Sequence, residues 1–318
     1  MSLVRKLKSK LKSFIPYQDL PHFDAVFADG WKQYRIANRD QIESRFADLL
    51  QGMDDTSVEI AKTVFQRYTE LAPPLDQDAA IRFVPDKLFT EYEKALQTTF
   101  SGKMAALDKT KTRLPDGFYY GISVFACDNG LAFLPPESIQ RLRGGDIIDG
   151  GSFVGDSALV FSKYQPRRID CFEPSAENRR NLAVTVSLNG LTNVSVVPAG
   201  LGGSNGTINL VFDASKSHAV DIGGTQVQLT TIDSYCQDKK TKPSLIKLDI
   251  EGAEYDAMVG AEETIRTYKP ILIISVYHTA KDFFEIKPLV KSFNPNYRFM
   301  MRRLDPFHAT NETVLIAY

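Results

Sequence analysis

Apolar positions in the first third of the chain recur every three or four residues. This spacing is seen between Trp31 and Leu71 and again near residues 86–98, and it predicts amphipathic helices. Thr56 or Ser57, which follow two aspartates, are predicted to cap the second of these helices. Residues 1–116 are therefore expected to form a mainly helical N-terminal region.

From residue 117 onward the pattern changes to short apolar runs that alternate with helical stretches. The runs are Asp146–Asp149, Arg168–Phe172, Val194–Val197, Leu245–Asp249, Ile271–Val276, Tyr297–Met301 and Thr313–Ala317. Such alternation predicts βαβ units and a parallel sheet. Too few residues join the last two runs for a crossover helix, so these are predicted to pair as an antiparallel hairpin. Residues 117–318 are therefore predicted to form an α/β domain.

Two further stretches of this domain carry strand patterns. Residues 207–212 and 227–229 predict an inserted β excursion between the third and fourth runs. Residues 118–131 are predicted to form a strand, a turn and a second strand.

The first 15 residues form a basic amphipathic segment. Leu3, Leu7, Leu11 and Phe14 recur at helical spacing among five lysines and arginines. Such a helix can lie on an anionic membrane surface, or it can pack its apolar stripe on the body of the protein. No apolar run approaches the roughly 20 residues that span a bilayer. We therefore expect a cytoplasmic protein. A peripheral membrane contact is one of the two roles that we expect for residues 1–15.

The composition of the chain limits the kinds of partner that the protein is expected to bind. The 318 residues carry a net charge of −1, so no overall positive field attracts nucleic acid. Cys127, Cys171 and Cys236 are an odd number without metal-ligand spacing, which is typical of reduced thiols in the cytosol. The sequence does not indicate the oligomeric state of the protein.

A glycine turn follows the first predicted strand in Asp149-Gly-Gly-Ser-Phe-Val-Gly155. Gly151 and Gly155 allow a ligand to approach the backbone at a helix N-terminus, although such a turn also occurs for structural reasons alone. Ser152 occupies the position of the middle glycine in the dinucleotide fingerprint. A pyrophosphate therefore fits this turn less well than a cofactor without phosphates does.

Acidic residues end two of the other predicted strands. Glu173 ends the second strand, where a carboxylate can accept hydrogen bonds from both hydroxyls of a ribose. Asp249 and Glu251 follow the fourth strand and are predicted to reach the same crevice, because ligands of open α/β sheets bind at the carboxyl ends of the strands. Together with the glycine turn, these residues predict a site for a nucleoside-bearing cofactor.

At this point the sequence resembles the FkbM family of methyltransferases over about residues 117–318. The segments that carry the resemblance are Asp149-Gly-Gly-Ser-Phe-Val-Gly-Asp156, Phe172-Glu-Pro174, Lys247-Leu-Asp-Ile-Glu-Gly-Ala-Glu254 and Glu312-Thr-Val-Leu315. The resemblance implies a class I methyltransferase, with a Rossmann-like sheet of seven strands, and S-adenosylmethionine as the cofactor.

The resemblance also implies a site and a reaction. The residues expected to bind the cofactor are Asp149, Gly151, Ser152, Gly155, Asp156, Glu173, Asp249 and Glu251. Members of the family are mostly O-methyltransferases that act on sugars or natural-product hydroxyls. The expected acceptor is therefore a small molecule or a glycan, such as a surface polysaccharide or glycolipid precursor. Ser152 and Phe153 depart from the alanine and asparagine that are common at these positions in the family.

Methyl transfer to a hydroxyl needs a base that takes the hydroxyl proton. His278 ends the fifth strand, and a neutral imidazole there suits this role. The alternative for His278 is a hydrogen bond to a neighbouring loop. Asp249 is the other candidate base, and it could instead anchor the cofactor or help to bind a divalent cation. No metal cluster is specified by the sequence, so no metal ligand is assigned and the need for a divalent metal stays open.

Two other functions stay open from the sequence. A nicotinamide-dependent oxidoreductase would use the same sheet edge, but the missing middle glycine argues against it. A non-catalytic nucleoside-binding module would keep the glycine turn and Glu173. Stabilisation by S-adenosylhomocysteine or by NAD would separate these alternatives.

Overall fold

The structure is a computed structural model that describes residues 22–24, 27–70, 81–83, 89–213, 216–219 and 223–318. The predicted amphipathic segment, residues 1–15, lies outside these residues. In the part of the chain that is described, no helix is both long and apolar enough to cross a bilayer.

The described chain contains helices and strands in the alternation that the sequence predicts. The helices are α1 Ala28–Ala37, α2 Ile42–Leu50, α3 Asp55–Glu70, α4 Glu91–Ala105, α5 Ile122–Phe125, α6 Pro136–Gln140, α7 Asp156–Ser162, α8 Ala176–Leu188, α9 Ile232–Lys239, α10 Glu254–Val259, α11 Glu262–Tyr268 and α12 Ala280–Phe293. The strands are β1 His22–Asp24, β2 Ile81–Phe83, β3 Asp146–Gly150, β4 Arg168–Phe172, β5 Val194–Val197, β6 Gly200–Leu201, β7 Gly206–Asp213, β8 Lys216–Ala219, β9 Thr225–Thr230, β10 Pro243–Leu248, β11 Ile271–Ser275, β12 Phe299–Arg303 and β13 Thr313–Ala317.

The central sheet has seven strands in the order β12-β13-β11-β10-β3-β4-β5. Strand β13 runs antiparallel to both β11 and β12, and the remaining neighbours are parallel. The predicted terminal hairpin is therefore confirmed. From β3 the chain proceeds to β4 and β5 on one side and later returns to β10 and β11 on the other. This change of direction creates a crevice at the carboxyl ends of β3 and β10.

The sheet separates two apolar layers because successive side chains of a strand point to opposite faces. Ile148 and Ile246 belong to one layer, and Ile147 and Leu245 belong to the other. All four are fully buried. Burial on both faces explains why the central strands are continuous apolar runs in the sequence.

The N-terminal helices complete the first of these layers. Trp31 of α1 lies flat on Tyr68 of α3, with ring centroids 4.0 Å apart, and also contacts Phe283 of α12 at 4.9 Å. Both Trp31 and Phe283 are almost fully buried. The helical region and the α/β domain therefore share one hydrophobic core. Whether residues 117–318 form a domain of their own stays a prediction.

Three local predictions can be compared with the structure. The inserted β excursion is confirmed as a four-stranded sheet in the order β6-β9-β7-β8. The strands predicted within residues 118–131 are wrong, because α5 and a 3₁₀ helix at Asp128–Phe133 occupy this stretch. The positive φ angles of Asp128, Asn129 and Gly130 break any extended strand there. Asp54, rather than Thr56 or Ser57, caps α3 through a 2.7 Å hydrogen bond from the Ser57 backbone N–H to its carboxylate.

Candidate active site

A cavity of about 500 Å³ opens at the carboxyl ends of β3, β4 and β10. Of the residues predicted to bind the cofactor, it is lined by Gly151, Asp156, Glu173, Asp249 and Glu251. These residues come from three strand ends and are far apart in the sequence. The structure therefore brings together the glycine turn and both acidic strand ends.

The other three residues predicted to bind the cofactor lie beneath the cavity wall. Ser152 is fully buried, and its hydroxyl donates a 2.7 Å hydrogen bond to the carbonyl oxygen of Asp149. Asp149 is also fully buried and accepts a hydrogen bond from the Ser157 hydroxyl. Gly155 begins α7 with φ +82°. All three support the turn from beneath the cavity. None of them lines the cavity wall, so the contact with a cofactor that was predicted for them is not seen.

Gly151 is the position in this turn that only glycine can occupy. Its φ is +74°, and a Cβ built on it would lie 1.8 Å from the carbonyl oxygen of Asp249. The backbones after β3 and β10 therefore approach each other so closely that any side chain would push them apart. The turn forms the floor of the cavity.

Glu173 is 5% exposed and is held in place by hydrogen bonds from the backbone. Oε1 accepts from the Ser175 N–H at 2.8 Å and from the Asn178 amide at 3.4 Å, while Oε2 accepts from the Phe153 N–H at 3.0 Å. Burial raises the pKa of this carboxyl, and the donors at Ser175, Asn178 and Phe153 oppose that effect. Because an ionised carboxylate oxygen can accept two hydrogen bonds, Oε2 keeps one place for a hydroxyl donor.

Lys247 is a site residue to which sequence reasoning assigned no role. It is 5% exposed, and its ammonium donates hydrogen bonds to the carbonyl oxygens of Gly150 and Gly151 and lies 3.3 Å from Asp149 Oδ1. Desolvation lowers the pKa of Lys247, but Asp149, Asp249 and Asp156 together raise it above its usual value. Lys247 therefore ties the turn after β3 to β10. A lysine inside the apolar run Leu245–Leu248 is the signal that could have revealed it.

His278 lies next to Asp249, as expected from the adjacent strand ends, but it is not part of the cavity wall. Its Nδ1 atom lies 2.9 Å from Glu254 Oε1, and Nε2 lies 3.6 Å from both Asp249 Oδ1 and Glu251 Oε2. Desolvation lowers the pKa of His278, but Glu254, Glu251 and Asp249 together raise it to about 10. The imidazole is thus held as a cation near neutral pH. The predicted role of His278 as a neutral base stays untested, and this environment does not favour it.

Tyr277 and Glu312 also line the cavity, although neither was predicted as a site residue. The Tyr277 hydroxyl donates a 3.4 Å hydrogen bond to Asp249 Oδ1. Glu312 precedes β13 and has a φ of +58°, a strained conformation for a residue other than glycine. Burial and the charge of Asp249 raise the pKa of Glu312 to about 8. The position of Glu312 in Glu312-Thr-Val-Leu315, next to a strand end of the sheet, was the available signal.

The cavity has two ends. Glu173 stands at the end of β4, and Tyr277 follows β11, with β3 and β10 between them in the sheet. Because neighbouring strands lie about 4.8 Å apart, these two residues are separated by roughly 14 Å. We call the region around Glu173 the cofactor end. The region around Asp249, Glu251, Tyr277 and Glu312 is the acceptor end.

Comparisons with known proteins agree with this architecture. Residues 149–306 match the sequence profile of the methyltransferase FkbM domain. The crystal structure of methyltransferase FkbM from Methylobacillus flagellatus KT is similar in fold, with a TM-score of 0.60 and 20% sequence identity over 91% of this chain. This chain covers 61% of that protein's length. No curated protein matches the chain significantly.

Two further solved structures match at lower TM-scores. A ribosomal protein L11 methylase from Lactobacillus delbrueckii subsp. bulgaricus is 14% identical at a TM-score of 0.36, over 65% of this chain and 83% of its own. A precorrin-6y C5,15-methyltransferase from Geobacter metallireducens GS-15 is 9% identical at a TM-score of 0.40, over 66% of this chain and 97% of its own.

The fold is that of a class I methyltransferase, and the cavity opens at the switch point of its seven-stranded sheet. Residues 149–306 are a methyltransferase domain of the FkbM family. The resemblance seen in the sequence is therefore confirmed. The cofactor of this domain is S-adenosylmethionine.

The cavity fits this cofactor. Its volume of about 500 Å³ lies within the roughly 300–1,000 Å³ of small-molecule sites. Glu173 Oε2 can accept a ribose hydroxyl, and the floor at Gly151 admits no side chain. Asp156 and Asp249 supply negative charge along the wall toward the acceptor end. When bound, S-adenosylmethionine supplies the methyl group on a positively charged sulfonium, which these carboxylates suit.

Proposed function

We propose that the protein is an S-adenosylmethionine-dependent O-methyltransferase that methylates a hydroxyl of a sugar or glycan. The observation that carries this proposal is the composition of the acceptor end, where Asp249, Glu251 and Glu312 line one cavity beside the Tyr277 hydroxyl. Carboxylates accept hydrogen bonds from hydroxyl groups and can take a proton from one of them. Among the described residues, Lys247 is the only cationic side chain in the cavity wall, and it is already bound to backbone carbonyls.

This charge distribution disfavours an anionic acceptor group. A carboxylate or phosphate at the methylated position would face Asp249 and Glu251, and like charges in a partly buried site repel strongly. A neutral hydroxyl meets no such penalty. The acceptor end therefore supports a polyol or sugar over an acid.

Glu312 is our candidate for the base. It lines the cavity, whereas His278 does not. Its pKa of about 8 lies close to neutrality. A general base with such a pKa is partly deprotonated near neutral pH and still has enough proton affinity to take the hydroxyl proton. The pKa of Asp249, despite desolvation, is lowered by Lys247 and His278, which makes Asp249 the weaker base of the two.

Aromatic side chains at the cavity rim support a sugar acceptor. Phe118 and Tyr119 line the cavity, and Tyr119 is 72% exposed. An aromatic ring offers a flat apolar face, and the tyrosine adds a polar tip. A pyranose ring likewise combines an apolar face with hydroxyl edges, so the exposed Tyr119 ring can pack against it, whereas Phe118 contacts Phe153 near Glu173.

The test is methyl transfer from labelled S-adenosylmethionine by the full chain to a panel of neutral glycans, acidic glycans and amines. We expect product only from hydroxyl acceptors, as an alkali-stable methyl ether detected by mass spectrometry. Thermal shifts with S-adenosylhomocysteine and with NAD accompany the assay, and stabilisation is expected with the former alone. Methylation of amines or carboxylates in preference to hydroxyls would refute O-methylation. Cofactor binding without any transfer across the panel would favour the non-catalytic module.

A further inference from the structure

His278 has a buried nitrogen atom without a hydrogen-bond partner. The residue is 3% exposed, and Nε2 makes no hydrogen bond. Two carboxylate oxygens face it, Asp249 Oδ1 and Glu251 Oε2, each at 3.6 Å. These separations are too long for hydrogen bonds. They are close to the distance between neighbouring ligands of a metal ion that binds nitrogen and oxygen at about 2.0–2.2 Å.

The other nitrogen of the ring is held by Glu254. Nδ1 lies 2.9 Å from Glu254 Oε1, as an ion pair whose N–H direction deviates from that of a well-formed hydrogen bond. Glu254 is fully buried and is itself fixed by the backbone N–H groups of Ile250 and Gly252. A carboxylate behind a histidine keeps the proton on the nitrogen that it faces, so a metal ion that binds Nε2 displaces only the second proton of the imidazolium.

The backbone of Glu251 is strained in this arrangement. Glu251 has a φ of +59°, which is unfavourable for a residue with a side chain, and such conformations cluster at active sites and ligand clamps. Its side chain is 25% exposed and that of Asp249 is 32% exposed, while that of His278 is 1% exposed. The open side of the cluster is thus its carboxylate side, which lines the cavity. An ion can enter from there.

The charge of the cluster suits a divalent cation. Asp249, Glu254 and His278 offer ligand atoms that all lie within 4.8 Å of one another, and Glu251 adds a third carboxylate. Because attraction scales with charge, an ion with two positive charges is bound more strongly by this cluster than a singly charged one is. One imidazole with carboxylates is a donor set for Mn²⁺, Zn²⁺ or Fe²⁺ more than for Mg²⁺ or Ca²⁺.

We propose that His278 Nε2, Asp249 and Glu251 bind a divalent transition-metal cation at the acceptor end of the cavity, with Glu254 as the positioning residue for His278. Resting on the proposed function, we further infer that this cation binds the acceptor hydroxyl and promotes the loss of its proton to Glu312. The sequence could not specify this cluster, because its four residues come from two separate segments of the chain and only one of them is a histidine.

The test uses Mn²⁺ as the probe and the full chain after treatment with EDTA. Electron paramagnetic resonance should show one Mn²⁺ bound per chain, with spin-echo modulation from one imidazole nitrogen. His278→Gln should lose the nitrogen signal and bind Mn²⁺ at least about tenfold more weakly, and Glu254→Gln should weaken binding about 10–100-fold while keeping the signal. His308→Gln is the matched control and should bind like the wild type, since His308 lies outside the cluster.

The variants are compared only if they bind S-adenosylhomocysteine like the wild type, which shows that they are folded. Should His278→Gln fail this check, Glu251→Gln replaces it, with weakened Mn²⁺ binding expected. Absence of bound Mn²⁺ in the wild type, or unchanged binding and nitrogen signal in the variants, would overturn the site. Bound Mn²⁺ with transfer rates that EDTA leaves unchanged would overturn the role in acceptor binding. Because Mn²⁺ binding needs no acceptor, a failure of the proposed function would leave this measurement intact.

Discussion

At the scale of single residues, access to the cavity determines what each acidic group of the site can do. Asp149 and Glu254 are fully buried outside the cavity wall, and each is held by neighbouring polar groups. They fix the geometry of the strand ends. Glu173 and Glu312 carry the same chemical group but line the cavity, so they can meet a ligand. The carboxylates therefore divide into those that support the site and those that act in it.

Replacing Glu173 with alanine should weaken binding of S-adenosylmethionine by about 1–3 kcal/mol, because the ribose hydroxyls lose a charge-assisted acceptor. Isothermal titration calorimetry measures the change. Glu177→Ala, at an exposed position one turn away in α8, is the matched control and should bind normally. An unchanged dissociation constant for Glu173→Ala would remove Glu173 from the cofactor site.

Glu312→Gln should bind S-adenosylhomocysteine normally but lose about 10²–10⁴-fold in single-turnover methyl transfer, the usual range for a missing acid–base group. The amide keeps the size of the side chain and cannot accept the proton. Asp249→Asn and His278→Ala, the residues predicted from the sequence, are measured beside it. Near-wild-type transfer by Glu312→Gln together with a large loss in either of the others would move the base to that residue.

At the scale of elements, the start of α3 joins the helical region to the sheet. Asp54 Oδ1 accepts hydrogen bonds from the Ser57 backbone and hydroxyl at 2.7 and 2.8 Å, while Oδ2 lies 2.7 Å from the Arg302 guanidinium of β12. The Ser57 hydroxyl in turn accepts a 2.9 Å hydrogen bond from the Met301 N–H. One N-cap therefore also fixes α3 on an edge strand.

Asp54→Asn should lower the free energy of unfolding by about 0.5–1 kcal/mol at neutral pH, because asparagine preserves the cap but not the ion pair, which is partly exposed and screened by water. Desolvation raises the pKa of Asp54, but Arg302 and Ser57 lower it to about 2, from an ordinary value of 3.8. The contribution of the charge is therefore complete above pH 3.8 and is lost as the pH falls through 2.

Urea unfolding at several pH values measures this difference between Asp54→Asn and the wild type. Asp40→Asn, whose carboxylate is 89% exposed, is the control and should match the wild type throughout. A difference between Asp54→Asn and the wild type that is independent of pH from 2 to 4 would show that the charge of Asp54 is not responsible.

At the scale of the whole molecule, one apolar layer is built from both ends of the chain. Phe284 of α12 contacts Tyr34 and Phe46 of the N-terminal helices, with ring centroids 5.6 and 6.3 Å apart. Arg67 of α3 forms a buried ion pair with Glu93 of α4 and donates a hydrogen bond to the carbonyl oxygen of Ala309. The N-terminal helices therefore cover the face of α12 that would otherwise meet water.

A fragment of residues 117–318 should not unfold cooperatively, because removal of the N-terminal helices exposes Phe283, Phe284 and the edge strand β12. Circular dichroism melting of the fragment and of the full chain tests this. Deletion of residues 1–15 alone is the control and should melt like the full chain. A cooperative transition in the fragment, with retained binding of S-adenosylhomocysteine, would show that residues 117–318 are an independent domain.

The basic segment at residues 1–15 should promote binding to anionic vesicles. Its leucines and phenylalanine can enter the interface while its lysines and arginines remain at the headgroups, and the attraction weakens as salt rises. Co-sedimentation with phosphatidylserine vesicles at low and high salt compares the full chain with the deletion. Equal co-sedimentation of both proteins at low salt would leave packing on the body as the role of this segment.

The sequence by itself determined the sheet, indicated the methyltransferase domain and identified several of the residues that line the cavity. Apolar runs set the strands because a strand buried on both faces must be apolar along its length, and the positions of Gly151 and Glu173 follow from the order of strand and helix in a βαβ unit. It misplaced residues 118–131 because strand propensity is weak compared with packing, and here the chain turns through left-handed residues instead.

Only the tertiary structure decided the electrostatics of the site and the unity of the core. The sequence places His278 at a strand end, but its protonation depends on three carboxylates from the loop after β10 and the start of α10. Charges interact through space rather than along the chain, so the spacing of apolar and polar residues in the sequence does not indicate such contacts. Trp31 and Phe283 are more than 250 residues apart in sequence and 4.9 Å apart in the fold for the same reason: apolar surface is buried wherever the folded chain brings it together.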